Sequence, residues 1–226
     1  MKCFLLLFLT TVLVSCKEEH RIQSKKGGID IVTNIYYGAS KGLDNHQQII
    51  LSKINYFEND IIELVPNITI PEIIDSVYYI NDSVYYEIGS LMDSKSLNFI
   101  KQRQEKSKNV RDKKYGAIWI DKQISNYELR KNLNDTVLYG RLPFKRFQIL
   151  TKDNYSIFYI NKTDTILPYS LNQFADNDYG GRLERIDSYD KKRDLFTTII
   201  LLPRRNWDKE AAVIFEYNYQ INIDSN

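Results

Sequence analysis

From residue 29 onward the β-branched and aromatic side chains come in short runs, each closed by Asn, Asp, Gly or Lys, and no other feature of the sequence restricts the fold as much. Runs of that length and composition read as strands joined by turns. At the C-terminus Val213, Phe215, Tyr217, Tyr219, Ile221 and Ile223 alternate with Ala212, Ile214, Glu216, Asn218, Gln220 and Asn222. A period of two with one apolar face predicts a long, half-buried strand of the antiparallel type. Strands are also predicted over residues 31–37 and 115–120. Residues 146–151 are expected to pair with 155–160 through Lys152-Asp153-Asn154, and residues 183–189 with 195–202. The repeat Asp75-Ser76-Val77-Tyr78-Tyr79 and Asp82-Ser83-Val84-Tyr85-Tyr86 reads as two strands turning at Ile80-Asn81-Asp82, where Asn and Asp tolerate turn backbone.

Helical signals are few. Ser94 can cap a helix running toward Val110, and Ser125-Asn126-Tyr127-Glu128 is a capping box ahead of Leu129 and Leu133. Residues 45–64 carry apolar side chains at both helical and strand spacings and fit either state. Residues 17–28 are polar and end in Gly27-Gly28, the composition of a tether. The expected architecture is α+β, a predominantly antiparallel sheet with a few short helices. It forms one domain over residues 29–226, or two with a split near residue 95.

The first sixteen residues have a character of their own. Lys2 supplies a positive start and residues 4–14 an apolar stretch of about eleven residues, the plan of an export signal. That stretch falls short of the roughly twenty apolar residues needed to span a bilayer. It ends in Leu13-Val14-Ser15-Cys16, which resembles the lipobox of bacterial lipoproteins. The resemblance covers residues 1–16. It implies cleavage before Cys16, removal of residues 1–15, a diacylglycerol thioether on the Cys16 sulfur and, as a rule, an N-acyl chain such as palmitate. Several chains together anchor stably where one is marginal. Lys17-Glu18-Glu19 resembles the short charged signal that carries some lipoproteins to the surface of Gram-negative cells. An outer-membrane position follows as an expectation, with the periplasmic and external faces both open.

Exclusions come from side-chain supply. Cys3 leaves with the signal and Cys16 is taken by lipid, so neither a disulfide nor a cysteine nucleophile is expected. His20 lies on the tether, which leaves His46 alone for a Ser-His-Asp triad or a histidine zinc site. The nine glycines form no phosphate loop, so no nucleotide or redox cofactor is expected. Loss of Lys2 leaves 30 basic residues against 29 acidic, so no global field points to nucleic acid and no nucleic-acid partner is expected. The 17 tyrosines fit a sugar-binding surface, or simply an AT-rich coding sequence.

Three local patterns carry chemistry. Counting Asp176 as position one, Asp176, Asp178, Gly181, the Arg182 carbonyl and Asp187 stand where a calcium loop places its ligands and its turn glycine. Gly180 supplies no ligand at position five, and an Asp/Asn/Gly turn feeding a strand explains the same residues. Residues 101–114 hold seven basic side chains against Glu105 and Asp112, suited to anionic lipid or to a solvated face. Finally, Asp followed by Ser or Thr and an aliphatic residue occurs at Ser76, Ser83, Thr136 and Thr165. This form resembles the O-glycosylation site that one large group of Gram-negative bacteria uses on exported proteins, and Ser83 and Thr136 are its leading positions.

Two function classes remain. One is a lipid-anchored, non-catalytic envelope module that binds an envelope protein or a glycan. The other is a carboxylate-dependent hydrolase acting on polysaccharide or peptide, for which the sequence nominates no pair of carboxylates.

Overall fold

The computed structural model describes residues 21–44, 47–88, 107–140 and 143–224. Cys16, His20, His46, the proposed Ser94 helix as far as residue 106, and Lys101, Arg103 and Lys106 of the basic strip lie outside them.

The chain is mostly β, as its sequence predicts. In order come β1 (Ile22–Gln23), β2 (Lys26–Tyr37), β3 (Gln47–Phe57), β4 (Asp60–Pro66), β5 (Ile74–Asn81), β6 (Val84–Ile88), β7 (Lys108–Asn109), β8 (Lys131–Val137), β9 (Pro143–Leu150), β10 (Asn154–Asn161) and β11 (Thr165–Ile166). Then follow helix α1 (Gln173–Tyr179), β12 (Arg182–Asp190), β13 (Leu195–Arg204) and helix α2 (Lys209–Asp224). Eleven strands form one antiparallel sheet in the order β7-β6-β5-β4-β3-β2-β13-β12-β10-β9-β8, and β1 and β11 pair in parallel beside it. Strands from both sides of residue 95 belong to this sheet. The ambiguous residues 45–64 resolve, from residue 47 on, into the β3–β4 hairpin, whose Glu58 takes a positive φ. Asp82 does the same between β5 and β6, and Asp194 between β12 and β13. Short polar residues at such points are what the turns require.

This order puts the two edges, β7 and β8, next to each other in sequence. Eleven strands about 4.8 Å apart span roughly 48 Å, so the connection from β7 to β8 has to cross a sheet face. It does so as an irregular strap over residues 110–130, joined there by residues 167–181. Beneath it the sheet presents Ile29, Ile31, Ile54, Tyr56, Ile61, Tyr78, Ile80, Phe147, Phe158, Ile160 and Leu201. Phe147 is stacked between Phe158 (centroids 4.5 Å apart) and Tyr179 (5.0 Å), while Tyr127 of the strap meets it edge-on at 5.5 Å. The opposite face is covered along β4–β6 by α2, where Ala211, Ile214 and Phe215 pack on Ile62, Leu64, Val77, Tyr79 and Ile88.

Polar groups pin the strap. Glu63, fully buried on the strap side of β4, accepts from Ser52 Oγ (2.7 Å) and the Ala117 amide (2.5 Å), and pairs with buried Lys113. Burial pulls the Lys113 ammonium below its usual range, with Glu63 pulling it back up. Gly116 has φ +76°, and a Cβ there would stand 2.1 Å from Glu63 Oε1, so glycine is required on both counts.

Four sequence expectations are corrected. The C-terminal segment is helical, not a strand. β13 lies mid-sheet with β2 and β12 on either side, so the chain leaving Arg204 finds no free edge and packs on a face instead. Residues 211, 214 and 215 then fall on one helical stripe, while Val213 is 54% exposed. Residues 115–120 form no strand, because the Ala117 amide goes to Glu63 and Gly116 breaks the extended run. The Ser125 capping box opens only one 3-10 turn, Tyr127–Leu129, with Asn126 in a left-handed conformation and no side-chain cap. Burial of Tyr127 against Phe147 outweighs the helical signal there. Lastly, the tether stops short of Gly28. Gly27 and Gly28 lie buried in β2, where an added Cβ would come within 2.6 Å of Tyr56 Oη and Arg204 Cζ respectively.

Candidate functional site

Where the strap, β11 and α1 meet, they leave a cleft of about 320 Å³, at the lower end of the size range for small-ligand sites. Its walls include Arg21, Ser83, Arg111, Trp119, Tyr169, Gln173, Asp176 and Arg182. One wall is made by the first described residues of the chain. The Ile22 amide donates to the Asp164 carbonyl (2.8 Å) and the Ser24 amide to that of Ile166 (2.9 Å), clasping β1 onto β11. Arg21 completes the clasp by donating to Asn177 Oδ1 (3.1 Å) and the Gly181 carbonyl (2.7 Å).

The ionisable groups of the cleft mostly have partners. Arg182 gives Nε (3.1 Å) and Nη2 (2.6 Å) to Glu184 Oε1 and Nη1 to the Thr165 carbonyl (3.3 Å). Arg111 pairs with Asp121 at 3.0 Å. Asp176 accepts from Ser170 Oγ (2.5 Å) and from the Leu183 amide (2.6 Å), one bond to each oxygen, and so ties α1 to β12. Burial raises the Asp176 carboxyl above the usual aspartate range against the pull of those bonds and of Arg21 and Arg182. Two further carboxylates line the cleft, Asp121 in its pair with Arg111 and Asp82 in the β5–β6 turn.

Trp119 is different. Its ring meets Tyr169 edge-on at 5.2 Å, and the Tyr169 hydroxyl donates to the Ile118 carbonyl (3.1 Å). Burial pushes the Tyr169 phenol up, which keeps it a donor. The Trp119 indole N–H is itself buried and has no acceptor among the described residues. An orphan buried donor costs about 1–3 kcal/mol, and this N–H, closed to solvent, gains an acceptor from the cleft only if the ring turns toward it.

The proposed calcium ligands are not gathered. Asn172 caps α1 through the Ala175 amide (3.1 Å) and Gly180, at φ +59°, ends it, so Asp176 and Asp178 are helical while Arg182 and Asp187 are extended. A helix followed by a strand cannot curl round one ion. Asp178 accepts instead from Tyr127 Oη (2.8 Å) and Arg130 (3.0 Å), and Asp187 from Arg185 Nε (2.7 Å). Among the described residues no three His, Cys, Asp or Glu side chains are grouped to hold a metal.

Of the Asp-Ser/Thr sites, Ser83 is exposed in the β5–β6 turn at the cleft, whereas Ser76, Thr136 and Thr165 are half-buried in strands. The described part of the basic strip does not form one charged face, since Lys113 is buried on Glu63 and Arg111 pairs with Asp121.

A second hollow, about 380 Å³, opens on the strap face between residues 124–126 and β9–β13. Its floor holds Ile149 and Phe158 beside the paired hydroxyls of Ser156 and Ser188 (2.8 Å). Nothing in the sequence pointed to Arg21, Trp119 or Tyr169. Trp119 could have been singled out only as one of two tryptophans. Among the described residues no helix is long and apolar enough to cross a membrane.

No family model matches the chain, and neither does any curated protein. Distantly similar solved structures include the following two. An uncharacterized conserved protein from Thermus thermophilus is 9% identical over 82% of this chain and 83% of its own, with a TM-score of 0.38. A DUF1329 family protein from Desulfovibrio piger is 10% identical over 88% and 90%, with a TM-score of 0.25. Both are too distant to carry an argument about family or function.

Proposed function

We propose that the protein is a lipid-anchored envelope lipoprotein, held through Cys16 at the outer membrane, and that it serves as a non-catalytic binding module whose site is the strap cleft. The observation that carries the binding reading is the contrast inside the cleft. Its charges are mostly matched to one another, while the buried Trp119 N–H in its wall has no acceptor among the described residues and gains one when a bound ligand turns the ring toward the cleft. Such a site suits an uncharged, acceptor-rich ligand, of which a glycan or a peptide carbonyl is the obvious envelope source. The hydrolase alternative has three carboxylates in the cleft to draw on, of which Asp176 joins α1 to β12, Asp121 pairs with Arg111 and Asp82 stands in the β5–β6 turn.

Two measurements test this. The intact mass of tagged protein extracted from its native envelope is expected to show loss of residues 1–15 and gain of acyl chains, and to show any glycan at Ser83. Cys16→Ala should lose the acyl mass and leave the membrane fraction, and an unacylated wild type would remove the anchor. For the cleft, a Trp207→Phe variant leaves Trp119 as the only tryptophan. Its emission should shift in a saturable way with an envelope glycan fragment or a co-purified partner, and a flat response across such a panel would remove the binding reading.

A further inference from the structure

The clasp fixes where the anchor meets the fold. Only residues 17–20 separate Cys16 from Arg21, and Arg21 is bonded to Asn177 and Gly181 at the cleft wall. Five residue steps reach at most about 18 Å. A folded chain of this length has a radius of gyration of about 17 Å and is therefore roughly 40 Å across. The anchor cannot reach round such a body, so the side bearing Arg21 is the side held at the bilayer.

That side shows apolar surface. Ile22, next to Arg21 in the clasp, is 61% exposed. Ile118 and Ile120, at either side of Trp119, are each 48% exposed, and Phe174, beside Gln173 of the cleft wall, is 46% exposed. A competing apolar group, Ile68, Ile70 and Ile73, stands in the β4–β5 loop. β4 starts at Asp60, level with the β5–β6 turn that borders the cleft, and reaches the loop six residues later at Pro66. At 3.3 Å per residue that is about 20 Å away.

We propose that the mouth of the cleft is a membrane-seating face. Ile22, Ile118, Ile120 and Phe174 enter the interfacial layer of the bilayer that holds the Cys16 acyl chains, and the cleft opens onto the headgroups. This rests on the anchor reading above, and it narrows the ligand supply to molecules presented at the bilayer surface.

The acylated protein, purified in detergent and reconstituted into phosphatidylethanolamine/phosphatidylglycerol vesicles, provides the test. Once Cys16 is acylated the mature chain holds no other thiol, so Ile120→Cys, Phe174→Cys and Ile70→Cys each take one environment-sensitive dye. Dyes at 120 and 174 should shift to the blue and be quenched at least twofold by lipids brominated near the headgroup. The dye at 70 should behave as it does in the soluble Cys16→Ala form. Quenching at 70 alone, or at none of the three in protein that floats with the vesicles, overturns the seating face and leaves the anchor standing. Protein whose mass lacks acyl chains and which fails to float overturns both.

Discussion

The two faces of the sheet are covered in opposite ways. Over β4–β6, α2 satisfies its own backbone within the helix and presents Ala211, Ile214 and Phe215 to a fully apolar patch. On the other face the irregular strap has no ladder to join, and it needs Glu63 to take up the Ala117 amide and Lys113. Buried backbone must find partners somewhere. A regular element finds them internally and seals its face, whereas an irregular one borrows them from the sheet and leaves gaps, of which the Trp119 cleft is one. A binding site on the strap side follows from that difference.

The buried Glu63–Lys113 pair offers the sharpest way to break the contrast. Glu63→Ala strands Lys113 without a partner, and losing one member of a buried ion pair costs about 3–5 kcal/mol. Urea denaturation should show a loss in that range and hydrogen exchange should show the strap opening first. A loss under about 1 kcal/mol would mean that the strap is held by its apolar contacts. On the helix side, Ile214→Ala should cost toward the lower end of about 2–5 kcal/mol and loosen α2 alone. Val213→Ala should change stability by less than about 0.5 kcal/mol. Equal effects at 213 and 214 would contradict the helical stripe.

The smallest effect concerns pH. Burial penalises the charge of the Asp176 carboxyl and so raises that carboxyl above the unfolded aspartate value of about 4. Its contribution to stability is therefore full below that value and is lost as pH rises through the raised one. The stability of wild type relative to Asp176→Asn should fall over that window and then level off. A difference that grows with pH would mean that the bonds from Ser170 and Leu183 outweigh burial.

Much of the sheet was legible from local pattern. The hairpins at 146–160 and 183–202 and the turn at Asp82 follow from alternation and turn residues, which act over a few positions. The C-terminal helix was not, because alternation from 213 to 223 is a true local signal that loses to topology once β13 is enclosed on both sides. Residues 115–120 were misread for a related reason, since their β-prone composition yields to one buried carboxylate 54 residues away in sequence. The cleft was invisible because it is assembled from residue 21, the strap and residues 165–182, which share no motif. The Asp176 spacing, which reads as a calcium loop in sequence, is a capped helix end running into a strand.

Apart from β10 with β12, which β11 and α1 separate, every neighbouring pair in the large sheet is consecutive in sequence except β2 with β13, where Gly28 meets Arg204. The two meanders on either side can each form by local pairing as their strands emerge. The joint between them waits for β13, far along the chain from β2, and until then β2 lacks the neighbour it has mid-sheet. Pairing so distant in sequence closes slowly, and an open strand edge invites association. The molecule thus stays an unfinished pair of half-sheets until β13 emerges, a state hazardous anywhere that lacks a chaperone.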